Sequence, residues 1–241
     1  MKSPTVFLLL AASSALAQGN FQNLDFESAV VPNVPPDQFV YPISLTNILP
    51  GWTGYYNTNQ GQFGSYNGVP MSRVNIGLVD GHTSYYSNFV IEGYFTAVLQ
   101  TGNVNPPLTY GSAGIGQTSL IPGDARSLLF DARMLEGFTS NVLATVNGQV
   151  LPFTQVSAGA NFIRYGIDIS AFAGQTAEIR FTAEPGFGLP DPYTGVLLDN
   201  IQFSSSAIPE PSVLTLSALG TLLLTCRFLR QHFKREQSQI R

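Results

Sequence analysis

Thr145-Val146-Asn147-Gly148-Gln149-Val150 decides the fold class. Asn-Gly between two β-branched dipeptides is the strongest short-range hairpin signal, because both central residues of a type I′ turn need positive φ. From this hairpin outward, short β-branched and aromatic segments recur between turn signals: Val74–Val79, Asn88–Leu99, Ile115–Leu120, Ser127–Met134, Asn141–Val146, Gln149–Thr154, Phe162–Ile169, Ala177–Ala183 and Val196–Phe203. No stretch from Asn23 to Phe203 has a helical period. The expected fold is all-β: a single jelly-roll sandwich over residues 18–206.

Composition agrees. With 241 residues and 44% hydrophobic content the chain can bury one substantial core. Only 11% of residues are charged, while glycine (23) and proline (16) are plentiful, which favours strands and turns over helices. The net charge of −4 is unevenly spread. Between Gln18 and Ile208 the cations are Arg73, Arg126, Arg133, Arg164 and Arg180, there is no lysine, and acidic residues outnumber them. Phosphate backbones need clustered Lys and Arg, so nucleic acid is excluded as a partner of this body. The single cysteine, Cys226, lies outside it, so the body holds no disulfide and no cysteine-based metal site.

The two ends read as targeting segments. Lys2, the apolar run Val6 to Ala12, and Ala15-Leu16-Ala17 before Gln18 make a Sec signal peptide over residues 1–17, handled by the Sec translocon and cleaved after Ala17. At the other end Pro209-Glu210-Pro211 precedes an apolar segment of about 213–229, expected to be a transmembrane helix, with Arg227, Arg230, Lys234 and Arg235 around its end. Residues 236–241 finish the cytoplasmic tail.

This order over residues 207–235 resembles the PEP-CTERM sorting signal of Gram-negative bacteria that make extracellular polysaccharide. Membership implies processing by an exosortase and residence at the cell surface or in the extracellular matrix after a membrane-anchored stage. The body carries a second resemblance. Asn23-Leu24-Asp25-Phe26-Glu27, Leu49-Pro50-Gly51-Trp52, Ile121-Pro122-Gly123, Asp168 to Phe181 and Val196 to Ile201 are similar, in this order, to the galactose-binding-like jelly rolls of carbohydrate-binding modules.

In that fold class a structural Ca²⁺ is held by a Glu of the first strand and an Asp of the last. The positions here are Glu27 and Asp199, with Asp25 as a third; the alternative is that both are strand-end residues bonding the backbone. No other cofactor is expected. Sugar binding asks for exposed aromatic faces beside polar side chains, and Tyr55, Tyr56, Tyr66, Tyr85 and Tyr86 are the candidates. Trp52, after Pro50-Gly51, reads as a core plug.

A glycosidase would need two carboxylates about 5–10 Å apart in a cleft. Asp80, Glu92, Asp131, Glu136 and Glu184 are available, without an evident pair, and His82 stands in a loop. No nucleophile elbow, His-Glu-x-x-His or phosphate loop occurs. The expectation is a non-catalytic, exported polysaccharide-binding module; the alternatives are a structural or adhesive surface protein and a polysaccharide hydrolase or lyase.

Overall fold

The structure is a computed structural model and describes residues 20–31, 34–69, 73–104, 109–135, 141–186 and 194–208. The signal peptide, the Pro-Glu-Pro motif and the expected transmembrane segment lie outside these residues. Residues 1–207 and 208–241 form separate units, and the description concerns the first. Among the described residues no helix is long and apolar enough to cross a membrane.

The body is an all-β sandwich. One sheet has eight strands, in the order β1 (Val40–Ser44), β4 (Phe63–Tyr66), β5 (Asn75–Asp80), β6 (Phe95–Gln100), β16 (Gly195–Ser204), β10 (Ser127–Met134), β14 (Ile163–Asp168) and β13 (Phe153–Ala158). The other has six: β12 (Gln149–Leu151), β11 (Val142–Val146), β15 (Thr176–Ala183), β9 (Ala113–Leu120), β2 (Thr53–Tyr56) and β3 (Asn59–Gly61). A small ribbon pairs β7 (Gly102–Val104) with β8 (Thr109–Gly111). From β9 to β10, β10 to β11, β12 to β13, β14 to β15 and β15 to β16 the chain crosses between the two large sheets. Among the described residues helical structure is limited to one turn, Leu45–Ile48, and two 3₁₀ turns, Ser87–Phe89 and Ser170–Phe172.

Alternation explains the packing, since successive side chains of a strand point to opposite faces. On β15 the apolar members Ala177, Ile179, Phe181 and Ala183 are buried, while Glu178, Arg180 and Thr182 face out. Phe130 of β10 and Phe181 meet across the core with ring centroids 4.9 Å apart. The Asn-Gly hairpin forms as expected, with φ of 49° at Asn147 and 77° at Gly148.

The entry loop is wound tightly. Asn23 and Phe26 both have positive φ, Asn23 accepts a bond from Ser28 N–H and donates to Pro50, and the indole N–H of Trp52 donates to Asn23 O at 2.9 Å. Trp52, 6% exposed, packs on Phe26 and is the core plug the sequence suggested.

Two expected strands change. Asn88–Leu99 becomes a strand only from Phe95, because Gly93 takes a φ of 64° and the residues before it fold over the sheet instead of pairing in it. Gln149–Thr154 divides at Pro152, which lacks the N–H a ladder needs, into β12 in one sheet and β13 in the other.

The eight-stranded sheet has a second, outer cluster. Val79, Val98 and Leu197 point away from the main core and are covered by Tyr86 and Val90 of the loop 81–94 and by Leu135.

Candidate functional site

Two places draw together residues singled out in the sequence. The first is a cleft of about 320 Å³ lined by Asp25, Glu27, Glu92, Gly93, Asp199 and Asn200. Asp199 reaches it from β16, the last strand, as expected, whereas Glu27 comes from the entry loop before β1 and not from a first strand; Glu92 and Asn200 join them. Glu27 Oε1 accepts the N–H groups of Tyr94 (2.8 Å) and Phe95 (2.9 Å), and a Cβ at position 93 would collide with this carboxylate, which is why Gly93 stands there.

Asp199 is 1% exposed. Its Oδ2 accepts the Thr96 hydroxyl (2.7 Å) and the Glu92 N–H (3.3 Å), and its Oδ1 the Asn200 N–H (2.8 Å). Burial, helped by the charge of Glu27 and opposed by these donors, pushes its carboxyl up to about 7.

Asn200, at a φ of 48°, turns its Nδ2 to Glu92 Oε2 (2.8 Å) and Asp131 Oδ2 (3.0 Å). Asp131, fully buried, takes a bidentate pair from Arg164 Nε and Nη2, both at 2.7 Å, which raises the guanidinium further above its ordinary range.

The lining carries four carboxylates and no cationic side chain, the kind of oxygen a Ca²⁺ takes, although Asn200 turns its amide nitrogen to Glu92. Yet among the described residues no three acidic, histidine or cysteine side chains converge closely enough to hold an ion. As arranged, Glu27 and Asp199 bond protein donors.

The second place is the outer face of the six-stranded sheet. Tyr55, Gly114, Thr182 and Leu143 form one cross-strand row, and Thr53, Gly116, Arg180 and Thr145 the next. The Arg180 guanidinium carbon lies 3.6 Å from the Tyr55 ring centroid. Glu178 Oε1 accepts both the Tyr55 hydroxyl (2.8 Å) and Arg180 Nη2 (2.9 Å). Burial, then the bond to Glu178, raises the Tyr55 phenol above its ordinary value. This approach depends on Gly116, whose missing Cβ would stand 3.0 Å from Glu178 Oε1 and 3.3 Å from the Tyr55 ring.

Of the five tyrosines proposed to stack on sugars, two are buried and a third, Tyr56, is half-buried against the core. Tyr56 packs against the main core, donates to Phe63 O and accepts from Ile76 N, and burial pushes its phenol up to about 12. Tyr66, 1% exposed, donates to Asp80 Oδ2. Tyr86 belongs to the outer cluster. In each case apolar burial outweighs the one hydroxyl, which burial tolerates when it has a partner or a polar rim. Tyr85 is 68% exposed and Tyr55 half-buried.

Of the carboxylates considered for catalysis, Glu92 and Asp131 come together on Asn200 Nδ2, but Asp131 is fully buried and already paired. Asp80 is tied to Tyr66 and His82, Asp131 to Arg164, and Glu92 to Asn200. Glu136 lies outside the described residues, and Glu184 is raised by burial alone.

No family model and no curated protein matches the chain. Among solved structures it is similar to TmCBM61, solved in complex with β-1,4-galactotriose, at 10% identity and a TM-score of 0.37 over 78% of this chain and 99% of that one. The family 11 carbohydrate-binding module of Clostridium thermocellum, in complex with a β-1,3-1,4-mixed-linked tetrasaccharide, is similar at 13% identity and a TM-score of 0.33, over 70% and 96%. The secreted serine protease VesC of Vibrio cholerae is similar at 16% and 0.29, over 55% of this chain and 29% of that protein's length. None of these likenesses is strong enough to assign a ligand, and the sandwich rests on its own strand order.

Proposed function

We propose that this chain is an exported, exosortase-sorted surface or matrix protein whose jelly-roll body is a non-catalytic polysaccharide-binding module. The observation that supports binding is the open outer face of the six-stranded sheet. There Tyr55 and Arg180 lie together over a glycine floor, with Glu178 fixing both. An aromatic ring with a guanidinium on one face and a shared carboxylate at its hydroxyl, on rigid strands, suits a pyranose that sets its apolar C–H on the ring face opposite Arg180 and its hydroxyls on the charges.

Catalysis is disfavoured by access. Among the described residues the carboxyl with the most strongly raised proton affinity, Asp199, is buried and engaged through both oxygens, so it cannot reach a glycosidic oxygen. We add to the proposal that a Ca²⁺ recruited to the cleft would draw on Glu27 and Asp199, with Asp25 as a third, and would have to bring these side chains closer than they stand. Sorting at Pro209-Glu210-Pro211 and cleavage at Ala15-Leu16-Ala17 before Gln18 rest on the sequence order of the two ends.

The test is a polysaccharide array probed with residues 18–207, which contain the whole described core, with calcium and then with EDTA. The expected result is binding to at least one glycan that Tyr55→Ala weakens about tenfold, a loss of roughly 1.4 kcal/mol. Silence from a well-folded protein would transfer the assignment to a purely structural or adhesive surface protein. Loss with EDTA would show a divalent-cation requirement and implicate Glu27 and Asp199, to be checked with Glu27→Gln and Asp199→Asn.

A further inference from the structure

The loop 81–94 carries an exposed aromatic pair that the open sheet face does not use. His82 and Tyr94 stack with centroids 4.3 Å apart and planes 7° from parallel. The stack is fixed from below. His82 Nδ1 bonds Asp80 Oδ1 at 2.5 Å, and Asp80, 4% exposed, is itself held by the Tyr66 hydroxyl and by Asn67 Oδ1 on its N–H. Tyr94 is fixed through its own N–H to Glu27 and through its carbonyl, which accepts Gly81 N–H. Phe95 tilts against His82 at 5.9 Å. The loop is further secured by Asn161 Nδ2 on Val90 O and Arg133 Nη2 on Asn88 O.

Despite these restraints Tyr94 is 57% exposed and the His82 side chain 47% exposed. A ring fixed in orientation and left in water can cover an apolar ligand face at little cost in side-chain entropy.

We propose that the His82–Tyr94 stack is a second glycan contact, distinct from Tyr55, which takes one neutral pyranose ring on Tyr94. This rests on the reading of the body as a polysaccharide-binding module. The ligand class follows from the neighbours. Glu27 bonds the Tyr94 N–H, and the cleft beside Gly93 adds Asp25 and Glu92, so the nearby side chains accept hydroxyl protons and repel carboxylate or sulfate groups. A neutral polyhydroxyl ring meets both conditions, whereas a uronate polymer does not.

The experiment is calorimetric titration of residues 18–207 with cellohexaose and galactohexaose as neutral probes and an alginate hexamer as the anionic one. Wild type, Tyr94→Ala, Tyr94→Phe and Tyr55→Ala are compared, each checked for an unchanged melting transition. The expected result is two sites for a neutral hexamer, one lost with Tyr94→Ala and kept with Tyr94→Phe, the other lost with Tyr55→Ala. Should Tyr94→Ala unfold the loop, His82→Asn preserves a bond to Asp80 while removing the stack, and is expected to weaken the same site about tenfold. One site, lost with Tyr55→Ala and indifferent to Tyr94 and His82, would overturn this proposal and leave the binding-module reading standing. Binding of alginate in preference would overturn the neutral class. No binding of any probe by the folded wild type would bring down both readings together.

Discussion

The two outer faces of the sandwich are built on opposite terms. On the eight-stranded sheet the outward residues Val79, Val98 and Leu197 are apolar, and a 14-residue excursion between β5 and β6 covers them with Tyr86 and Val90. On the six-stranded sheet the outward residues of β15 are Glu178, Arg180 and Thr182, those of β9 include two glycines, and no second apolar cluster forms there among the described residues. Apolar side chains on an outward face need a cover because their exposure costs free energy in proportion to area. Polar ones do not, and they leave the face to a ligand. The difference gives one face a covered apolar cluster and leaves the other polar and uncovered among the described residues, while the covering loop itself exposes the His82–Tyr94 pair.

The largest effect expected from this contrast is on folding. Leu197→Ala empties the outer cluster and should cost about 2–5 kcal/mol, the range for buried leucine truncations. Thr182→Ala, at a comparable central position on the opposite face, should stay within about 0.5 kcal/mol. Urea unfolding of the two variants measures this directly. Equal costs would mean that the six-stranded face is also covered and is no recognition surface.

The cover also buries a charge. Its last residues, through the Glu92 N–H and the Thr96 hydroxyl of β6, close over Asp199, whose carboxyl burial raises to about 7. The folded chain then keeps a proton that the unfolded chain, with an ordinary Asp near 3.9, releases earlier. Stability from this group therefore falls as pH rises from about 4 to about 7 and is level above that. Asp199→Asn should flatten that slope, seen as melting temperature against pH. Calcium, if it enters the cleft, should flatten it in the wild type as well, by holding the carboxylate ionised. An unchanged slope in Asp199→Asn would show that the cover leaves this group hydrated.

Much of this contrast was legible in the sequence, though unevenly. The strands β11 and β15 announce themselves because their inward positions, Val142, Ala144 and Val146, and Ala177, Ile179, Phe181 and Ala183, recur at every second residue, and Ser127–Met134 emerges with its expected ends. The strands β2, β3 and β4 do not, because Thr53 to Tyr66 is rich in Gly, Asn and Gln, which ordinarily mark loops. Here they are strands because Gly54 and Gly64 allow Leu45 to lie close against the sheet. Tyr56 and Tyr66 were misread for the same reason: inside an apparent loop a tyrosine looks exposed, whereas in a strand it faces the core half of the time.

In the cleft, Glu27 and Asp199 could be named only by resemblance. Glu92 could not be placed, since its partner Asn200 depends on a left-handed backbone that no side-chain pattern reveals.

The smallest effect tests the open face itself. Arg180→Lys retains the positive charge and can still reach Glu178, but an ammonium cannot lie flat on Tyr55 as a guanidinium does. The stacking lost is that of a half-exposed cation–π pair, about 0.5–1 kcal/mol in stability. The consequence for recognition should be larger in proportion. With Arg180 no longer holding it, Tyr55 gains rotamer freedom that a bound pyranose must remove again, so glycan affinity falls while the melting temperature hardly moves. Affinity and stability falling in step would instead make the Tyr55–Arg180–Glu178 group a fastening of β2 to β15, and the outer face of the six-stranded sheet would lose its claim to the ligand.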